Sequence, residues 1–403
     1  MTLTITRLGH HGDGIAEGPV FVPRTLPGEV VEGEIAQGRM AAPRILTPSP
    51  ERVAAPCPHY KACGGCALQH AREGFVTDWK EGVIRQALAA QGLDAPFHAP
   101  HISGLHTRRR ATFSGRRLKK GALVGFHARA SDTVASVPDC LILRPELTAA
   151  LPLLEELVMM AGSRKGEMAL SLTLSDVGLD LSVTGGKPLD GPLQATLGQW
   201  AGANGLARLA WDGEVIAQAA PPLQTFGRAK VAPPPGAFLQ ATPDAQAALQ
   251  WAVAKAVGDA PRVADLFAGC GTFALPLAEQ AEVHAVESVA EMLTALDHGW
   301  RHATGLKRVT HETRDLFRNP LLPEDLARFD AVVIDPPRAG AEAQVRALAD
   351  SAVPRIAAVS CNPVTFARDA KILCDAGYRL DWVQMVDQFR FSPHVELAAA
   401  FAR

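Results

Sequence analysis

The run Val263-Ala264-Asp265-Leu266-Phe267-Ala268-Gly269-Cys270-Gly271-Thr272-Phe273 constrains this chain more than any other stretch. A short apolar segment passes through Gly-x-Gly into a helix predicted over 273–279. Glycines there permit a tight turn and let a ligand approach the backbone closely. A lone Gly-x-Gly carries little weight. Here a second predicted strand, 283–286, ends in Glu287, and a third segment is followed by Asp315. An acid closing the second strand suits ribose hydroxyls, and Asp315 is expected to face an adenine. The third glycine of the dinucleotide fingerprint is missing, which argues against NAD. A nucleoside without a pyrophosphate, such as S-adenosylmethionine, fits better.

Two more apolar runs end abruptly in chemistry. Ala331-Val332-Val333-Ile334 ends at Asp335-Pro336-Pro337-Arg338, and Ala357-Ala358-Val359-Ser360 ends at Cys361-Asn362-Pro363. In an open α/β sheet, ligands bind where such strands stop. The prolines after Asp335 deny the backbone an immediate helix. Most lone cysteines are small buried hydrophobes. The strand end, the Asn-Pro that follows and the glycine signature upstream raise Cys361 above that.

A chain of 403 residues, 47% of them hydrophobic, expects two or three domains with sizeable cores. No run approaches the roughly 18 apolar residues of a membrane span, and the N-terminus lacks the pattern of a signal peptide. A cytoplasmic protein without membrane partners, acting as a monomer, is expected. The net charge of −2 means that any nucleic-acid surface must be a local patch. Seven cysteines, unevenly spaced, suggest metal binding or catalysis rather than disulfides.

Residues 1–48 alternate in short apolar pairs punctuated by glycines, and read as a small β-domain. The segment from Gly12-Asp13-Gly14-Ile15-Ala16 through Val20-Phe21-Val22-Pro23 to Leu26-Pro27-Gly28-Glu29-Val30-Val31 resembles a TRAM domain, an OB-like barrel that binds RNA. Next, Cys57, Cys63 and Cys66 fall within ten residues, with Gly64-Gly65 supplying the turns that thiolates need to converge on one centre. Cys140, after a β-like stretch at 133–137, is the natural fourth ligand. A four-Cys zinc site and a [4Fe–4S] cluster both fit, and His59 and His70 keep a mixed zinc site open. An amphipathic helix is predicted over 75–91. Arg108–Arg110, Arg116, Arg117, Lys119 and Lys120 place seven cations in thirteen residues. Such a run is usually a solvated face, but its density suits a phosphate backbone. A hairpin is predicted over 168–183. The segment 49–220 thus reads as a central α+β domain, and 221–403 as the last domain. There Thr242-Pro243-Asp244 starts a helix running to 257.

The three-Cys group with Cys140, Phe238-Leu239-Gln240, the run 265–273, Glu287, Asp335–Arg338, Ser360–Pro363 and His394-Val395-Glu396 together resemble the RNA 5-methyluridine methyltransferases. The likeness covers nearly the whole chain. It implies a multidomain α/β protein: an N-terminal TRAM barrel, a central domain with a [4Fe–4S] cluster on Cys57, Cys63, Cys66 and Cys140, and a C-terminal Rossmann-like class I methyltransferase domain. It also implies S-adenosylmethionine held by Gln240, Phe267, Thr272, Glu287 and Asp335, with Gln240 touching the base, Cys361 as nucleophile and Glu396 as base. Ala268 stands where the family often has Cys, and Ser392-Pro393 precede His394; neither departure touches a catalytic role.

Uracil C5 is a weak carbon nucleophile. A thiolate adding at C6 makes C5 an enolate carbon able to take a methyl group, and the adduct must then lose its C5 proton. The target base must be single-stranded or flipped to reach Cys361. Ribosomal RNA is favoured over transfer RNA, because the first two domains resemble the ribosomal branch. Weaker alternatives are an exocyclic-amine methyltransferase, since Asp-Pro-Pro can position an amine, and a non-catalytic RNA-binding protein.

Overall fold

The computed structural model describes residues 1–403. Its elements gather into three main sheets and one short hairpin. Residues 2–47 form a five-stranded antiparallel sheet in the order Val20–Val22, Gly14–Ala16, Thr2–Leu8, Val30–Glu32, Arg44–Thr47. Its core is small: Ile5, Ala16, Val20, Val22, Val31 and Met40. The alternation seen in the sequence is the pleat, with Val20 and Val22 buried and Phe21 exposed.

The second sheet has seven strands, with Arg110–Arg117 and Met168–Ser175 paired at its centre. The hairpin Met168–Ser175/Gly178–Thr184 forms with the alternation that the sequence predicts. Helix Leu151–Ala161 covers this sheet, burying Leu154, Leu157 and Val158 against Phe113 and Leu170.

The third sheet positions the site. It has eight strands in the order Val309–Thr313, Glu282–Glu287, Arg262–Leu266, Ala331–Ile334, Arg355–Ser360, Leu397–Ala402, Arg379–Asp387, Phe97–Ile102. The first five are mutually parallel, and Leu397–Ala402 runs antiparallel to both its neighbours. Both faces are covered, as parallel strands require. Val263, Ala331, Val333 and Val359 enter one core, with Leu249 and Val253 of helix Pro243–Val257. Ala264, Leu266, Val332 and Ile334 enter the other, with Leu348 and Leu373 from the helices opposite. Thr242 caps helix Pro243–Val257 by accepting the Ala245 N–H, as its sequence predicts.

Helix Glu73–Ala89 and strand Phe97–Ile102 lie within the central 49–220 stretch of the sequence, yet they pack on this C-terminal sheet. Ile84 and Leu88 join its core, and Phe97–Ile102 pairs with Arg379–Asp387. Helical periodicity shows that a helix has an apolar face, not which core the face meets. No helix is long and apolar enough to cross a membrane.

Candidate active site

Three of the acids singled out in the sequence lie at the carboxyl edge of a parallel strand: Glu287 ends Glu282–Glu287, Asp315 follows Val309–Thr313, and Asp335 follows Ala331–Ile334. The glycine turn leaves Arg262–Leu266 at the same edge. Phe267 adopts φ +62°, which a non-glycine residue holds only under constraint. Gly269 has φ +55°, and a Cβ there would point into open space, so this glycine answers a backbone need and leaves room for a ligand. The turn is tied to the next strand, because Gly269 N–H donates to Glu287 Oε2 at 3.1 Å. Phe267 and Phe317 stand 5.4 Å apart, tilted, beside the turn. Thr272 closes it, its carbonyl accepting Gln250 Nε2 at 2.8 Å.

Cys361 and Glu396 are brought together by strand register. Ser360 pairs with Leu397 in the antiparallel ladder. The next residue outward on one strand is Cys361, and on the other Glu396, so the two leave the sheet side by side. Asn362 fixes the turn after the thiol: its Oδ1 accepts Val364 N–H, capping helix Pro363–Asp375, and its Nδ2 donates to Arg338 O at 2.9 Å. That bond joins the Cys361 turn to the Asp-Pro-Pro-Arg turn. The groups perturb one another. Burial, then Glu396 and Asp335, push the Cys361 thiol up to about 11, against the pull of Arg338. Burial and Asp335 raise Glu396 to about 8, while a hydrogen bond from Gln388 lowers it. Burial raises Asp335 to about 7.

A thiol and a carboxyl set side by side beyond a glycine turn suit covalent addition followed by proton removal. The family profile described as tRNA (Uracil-5-)-methyltransferase matches residues 233–403. An uncharacterized RNA methyltransferase of Brucella suis is 43% identical over all of this chain and 97% of its own. The 23S rRNA (uracil(1939)-C(5))-methyltransferase of Halomonas elongata is 35% identical over 98% of this chain and 88% of its own. The chain belongs to the RNA (uracil-C5)-methyltransferase family. Its fold is shared with the tRNA (uracil-54, C5)-methyltransferase of Pyrococcus abyssi, solved with S-adenosyl-L-homocysteine. That likeness has a TM-score of 0.78 at 22% identity and covers 100% of this chain and 99% of the other.

In this uracil methyltransferase the arginine run does something other than its sequence suggests. Arg109 is 7% exposed, and its guanidinium donates to Gln240 O, Gln224 Oε1 and Gln246 Oε1. Arg110 donates to Leu239 O at 2.8 Å and stacks over Phe238. Arg116 pairs with Glu167. Arg109 and Arg110 therefore clamp the Phe238-Leu239-Gln240 loop and are not part of a solvated face, while Lys119 and Lys120 stand exposed at the tip of their hairpin. Cation density in sequence is blind to the distant partners that bury Arg109, which come from residues 224, 240 and 246.

Cys57, Cys63, Cys66 and Cys140 line one cavity of the methyltransferase, together with Arg108, Phe126, Phe389, Arg390 and Ser392. Gly64 is required there, because a Cβ would sit 2.6 Å from His127 O. Burial raises the Cys66 thiol to about 12 and shifts Cys63 and Cys140 upward as well. His59 lines the cavity, whereas His70 does not: its Nδ1 bonds the Tyr60 hydroxyl at 2.7 Å. No three His, Cys, Asp or Glu side chains close on a point suited to a single metal ion.

Sequence reading missed Gln388, which is buried between Gln240 and Glu396. It also assigned no role to the Asp265 side chain, which is fully buried with neither oxygen hydrogen-bonded and whose carboxyl is driven well above the ordinary range by burial and Asp335. An acid inside an apolar strand was a readable signal for Asp265; a lone glutamine carries none.

Proposed function

We propose that this methyltransferase modifies a uridine of ribosomal RNA, with Cys361 adding to uracil C6 and Glu396 taking the C5 proton after methyl transfer. The observation that carries the reading is the Ser360–Leu397 register, which leaves nucleophile and base adjacent. The glycine turn, with Phe267, Thr272, Glu287, Asp315 and Asp335, is the binding place for S-adenosylmethionine, and Gln240 reaches between cofactor and base. The bound cofactor supplies a methyl group on a cationic sulfur.

The thiol must first lose its proton to solvent, which reaches the half-exposed Cys361. Arg338 and the N-terminus of helix Pro363–Asp375 favour the thiolate, while burial holds the resting thiol protonated. The thiolate then bonds C6, and the displaced electron pair makes C5 nucleophilic. With S-adenosylmethionine bound, C5 would take its methyl group as the methyl–sulfur bond breaks and the electron pair stays on sulfur. Glu396, ionised, takes the C5 proton; the C5–C6 double bond returns as the C6–S bond breaks. A buried carboxyl at about 8 is poised for proton transfer near neutral pH.

Residues 1–48 serve as the TRAM-like RNA-binding module and 49–220 as the cluster-bearing domain, except that helix Glu73–Ala89 and strand Phe97–Ile102 join the methyltransferase domain of residues 221–403. Cys57, Cys63, Cys66 and Cys140 would hold a [4Fe–4S] cluster. Four half-buried thiols around one cavity, with Cys63, Cys66 and Cys140 disfavoured as bare thiolates by burial, fit a cationic multinuclear group. Methyl transfer to C5 needs no electron, so the cluster's part is structural. The protein acts as a cytoplasmic monomer.

The likeness to the Halomonas enzyme favours ribosomal RNA; the matched family's description favours transfer RNA. Mapping 5-methyluridine in both RNAs of a strain lacking this protein decides. One 23S rRNA position losing its methyl is the expected result. Loss confined to transfer RNA moves the substrate class, and no loss anywhere overturns the reading.

A further inference from the structure

Gln388 is 2% exposed, and its side chain is held on three sides. Its Nε2 donates to Gln240 Oε1 at 2.6 Å and to a carboxylate oxygen of Glu396. Its Oε1 accepts the Ala241 backbone N–H at 2.6 Å. A primary amide has two N–H donors and one carbonyl oxygen, so both donors are spoken for. The orientation is not reversible. A backbone N–H can only donate, so Oε1 must face Ala241, and Nε2 must then face Gln240 and Glu396. Gln240 accordingly turns its oxygen to Gln388 and its NH2 the other way, where that nitrogen bonds nothing in the protein. Arg109 holds the same loop from behind through Gln240 O at 3.2 Å.

We propose that Gln388 is a positioning residue that locks the Gln240 amide with its donors toward the target base, so that the site accepts the carbonyl edge of uracil and refuses the amino edge of cytosine. The inference rests on the reading above, in which Cys361, Glu396 and Gln240 face that base. The reaction itself does not discriminate. Thiolate addition at C6 activates C5 of cytosine by the same electron flow, and the C5 proton is lost in the same way. The rings differ at position 4, where uracil carries an acceptor oxygen and cytosine a donor amine. A fixed N–H donor opposite that amine leaves two donors buried face to face without acceptors, a mismatch that sites built on hydrogen bonds reject strongly. A freely rotating glutamine would accept either base by flipping, so the lock carries the discrimination.

The test compares wild type with Gln388→Glu and Gln388→Leu on two 23S rRNA transcripts: the unmodified sequence, and the same sequence with the mapped uridine replaced by cytidine. Methyl transfer gives kcat/KM for each. Wild type should act on uridine alone. In Gln388→Glu, assayed at alkaline pH where the new buried carboxyl beside Glu396 is ionised, the carboxylate accepts but cannot donate, so Gln240 turns its NH2 inward and shows its oxygen to the base; the uridine-to-cytidine ratio should fall roughly 100-fold, with cytidine methylation appearing. Gln388→Leu frees the amide to rotate, and the ratio should fall roughly ten-fold, mostly through KM on uridine. The same ratios are read without turnover from covalent adducts with 5-fluorouridine and 5-fluorocytidine at the target position, where fluorine blocks proton loss. Thermal unfolding and cofactor calorimetry identify variants that remain folded. Variants that fold, bind cofactor and keep the wild-type ratio overturn the inference while leaving the uridine chemistry intact. A wild type that methylates both bases equally also overturns it, whereas a wild type forming no adduct with either strikes at the underlying mechanism.

Discussion

Lys80 and Asp387 form an ion pair of 2.7 Å with both side chains shut away from solvent. Lys80 Nζ also donates to Phe389 O at 3.1 Å, and Asp387 Oδ1 accepts Phe389 N–H. The pair pins helix Glu73–Ala89 to the loop that runs from Gln388 to Glu396. The same loop is held from the cysteine side, where Ala67 and Leu68 both donate to Phe391 O. Residues of this loop thus line the cysteine cavity at one end and support the proposed base at the other.

Removing one member of this pair should be costly. Lys80→Met leaves Asp387 buried and uncompensated, and should lower stability by about 3–5 kcal/mol. Lys80→Met with Asp387→Leu should recover most of that deficit. Urea unfolding followed by circular dichroism measures both; a Lys80→Met protein within about 1 kcal/mol of wild type would show the pair to be dispensable.

Stability should fall as pH rises from about 4.5 to about 8. Glu396 and Asp335 have folded pKa values of about 8 and about 7, above their ordinary 4.5 and 3.8. Across that window the folded protein holds protons that the unfolded chain has released, so raising pH favours unfolding. The contribution is fully present below the unfolded values and lost as pH passes through the folded ones. Thermal midpoints against pH for wild type, Glu396→Gln and Asp335→Asn test this: each variant should flatten the slope. Parallel curves for all three would contradict it.

Arg109 and the Lys119–Lys120 tip should separate cleanly in RNA binding. Arg109→Met strands buried carbonyls and should cut turnover through the Gln240 loop, with the salt dependence of RNA affinity unchanged. If the exposed tip touches phosphates, Lys119→Ala with Lys120→Ala should lower the logarithmic salt slope by about 0.7 to 0.9 for each phosphate no longer neutralised. Filter binding across salt concentrations checks both. A changed slope in Arg109→Met would return that arginine to the RNA surface.

The chain displays its chemistry more readily than its packing. Asp335, Cys361 and Glu287 are legible because apolar strands end abruptly at them, and the glycine turn is legible because φ +55° and +91° at Gly269 and Gly271 demand glycine. The partnership of Cys361 with Glu396 is not legible from either residue, since it depends on an antiparallel register between Arg355–Ser360 and Leu397–Ala402, which are far apart in sequence. Arg109 is deceptive for a related reason: it lies just before strand Arg110–Arg117, and its burial comes from the distant residues Gln224, Gln240 and Gln246 that pack on it. Gln388 leaves no trace because its effect lies in the direction of an amide.

The cysteine cavity makes a chemical prediction. Protein purified without oxygen should be brown and contain iron and sulfide, and Cys140→Ser should lose both while lowering the thermal midpoint. Stoichiometric zinc without iron would replace the proposed cluster with a metal ion.

The division of labour between Cys361 and Glu396 is the centre of the account, and one gel measures it. Wild type, Cys361→Ala and Glu396→Gln are incubated with unmethylated target RNA and methyl-labelled S-adenosylmethionine, then run under denaturing conditions. Glu396→Gln should add to C6 and transfer the methyl but stall, because the C5 proton stays and the thiolate cannot leave; a labelled protein–RNA band should accumulate. Cys361→Ala should give neither band nor product. Methylated RNA from Cys361→Ala, or wild-type turnover by Glu396→Gln, would contradict the account.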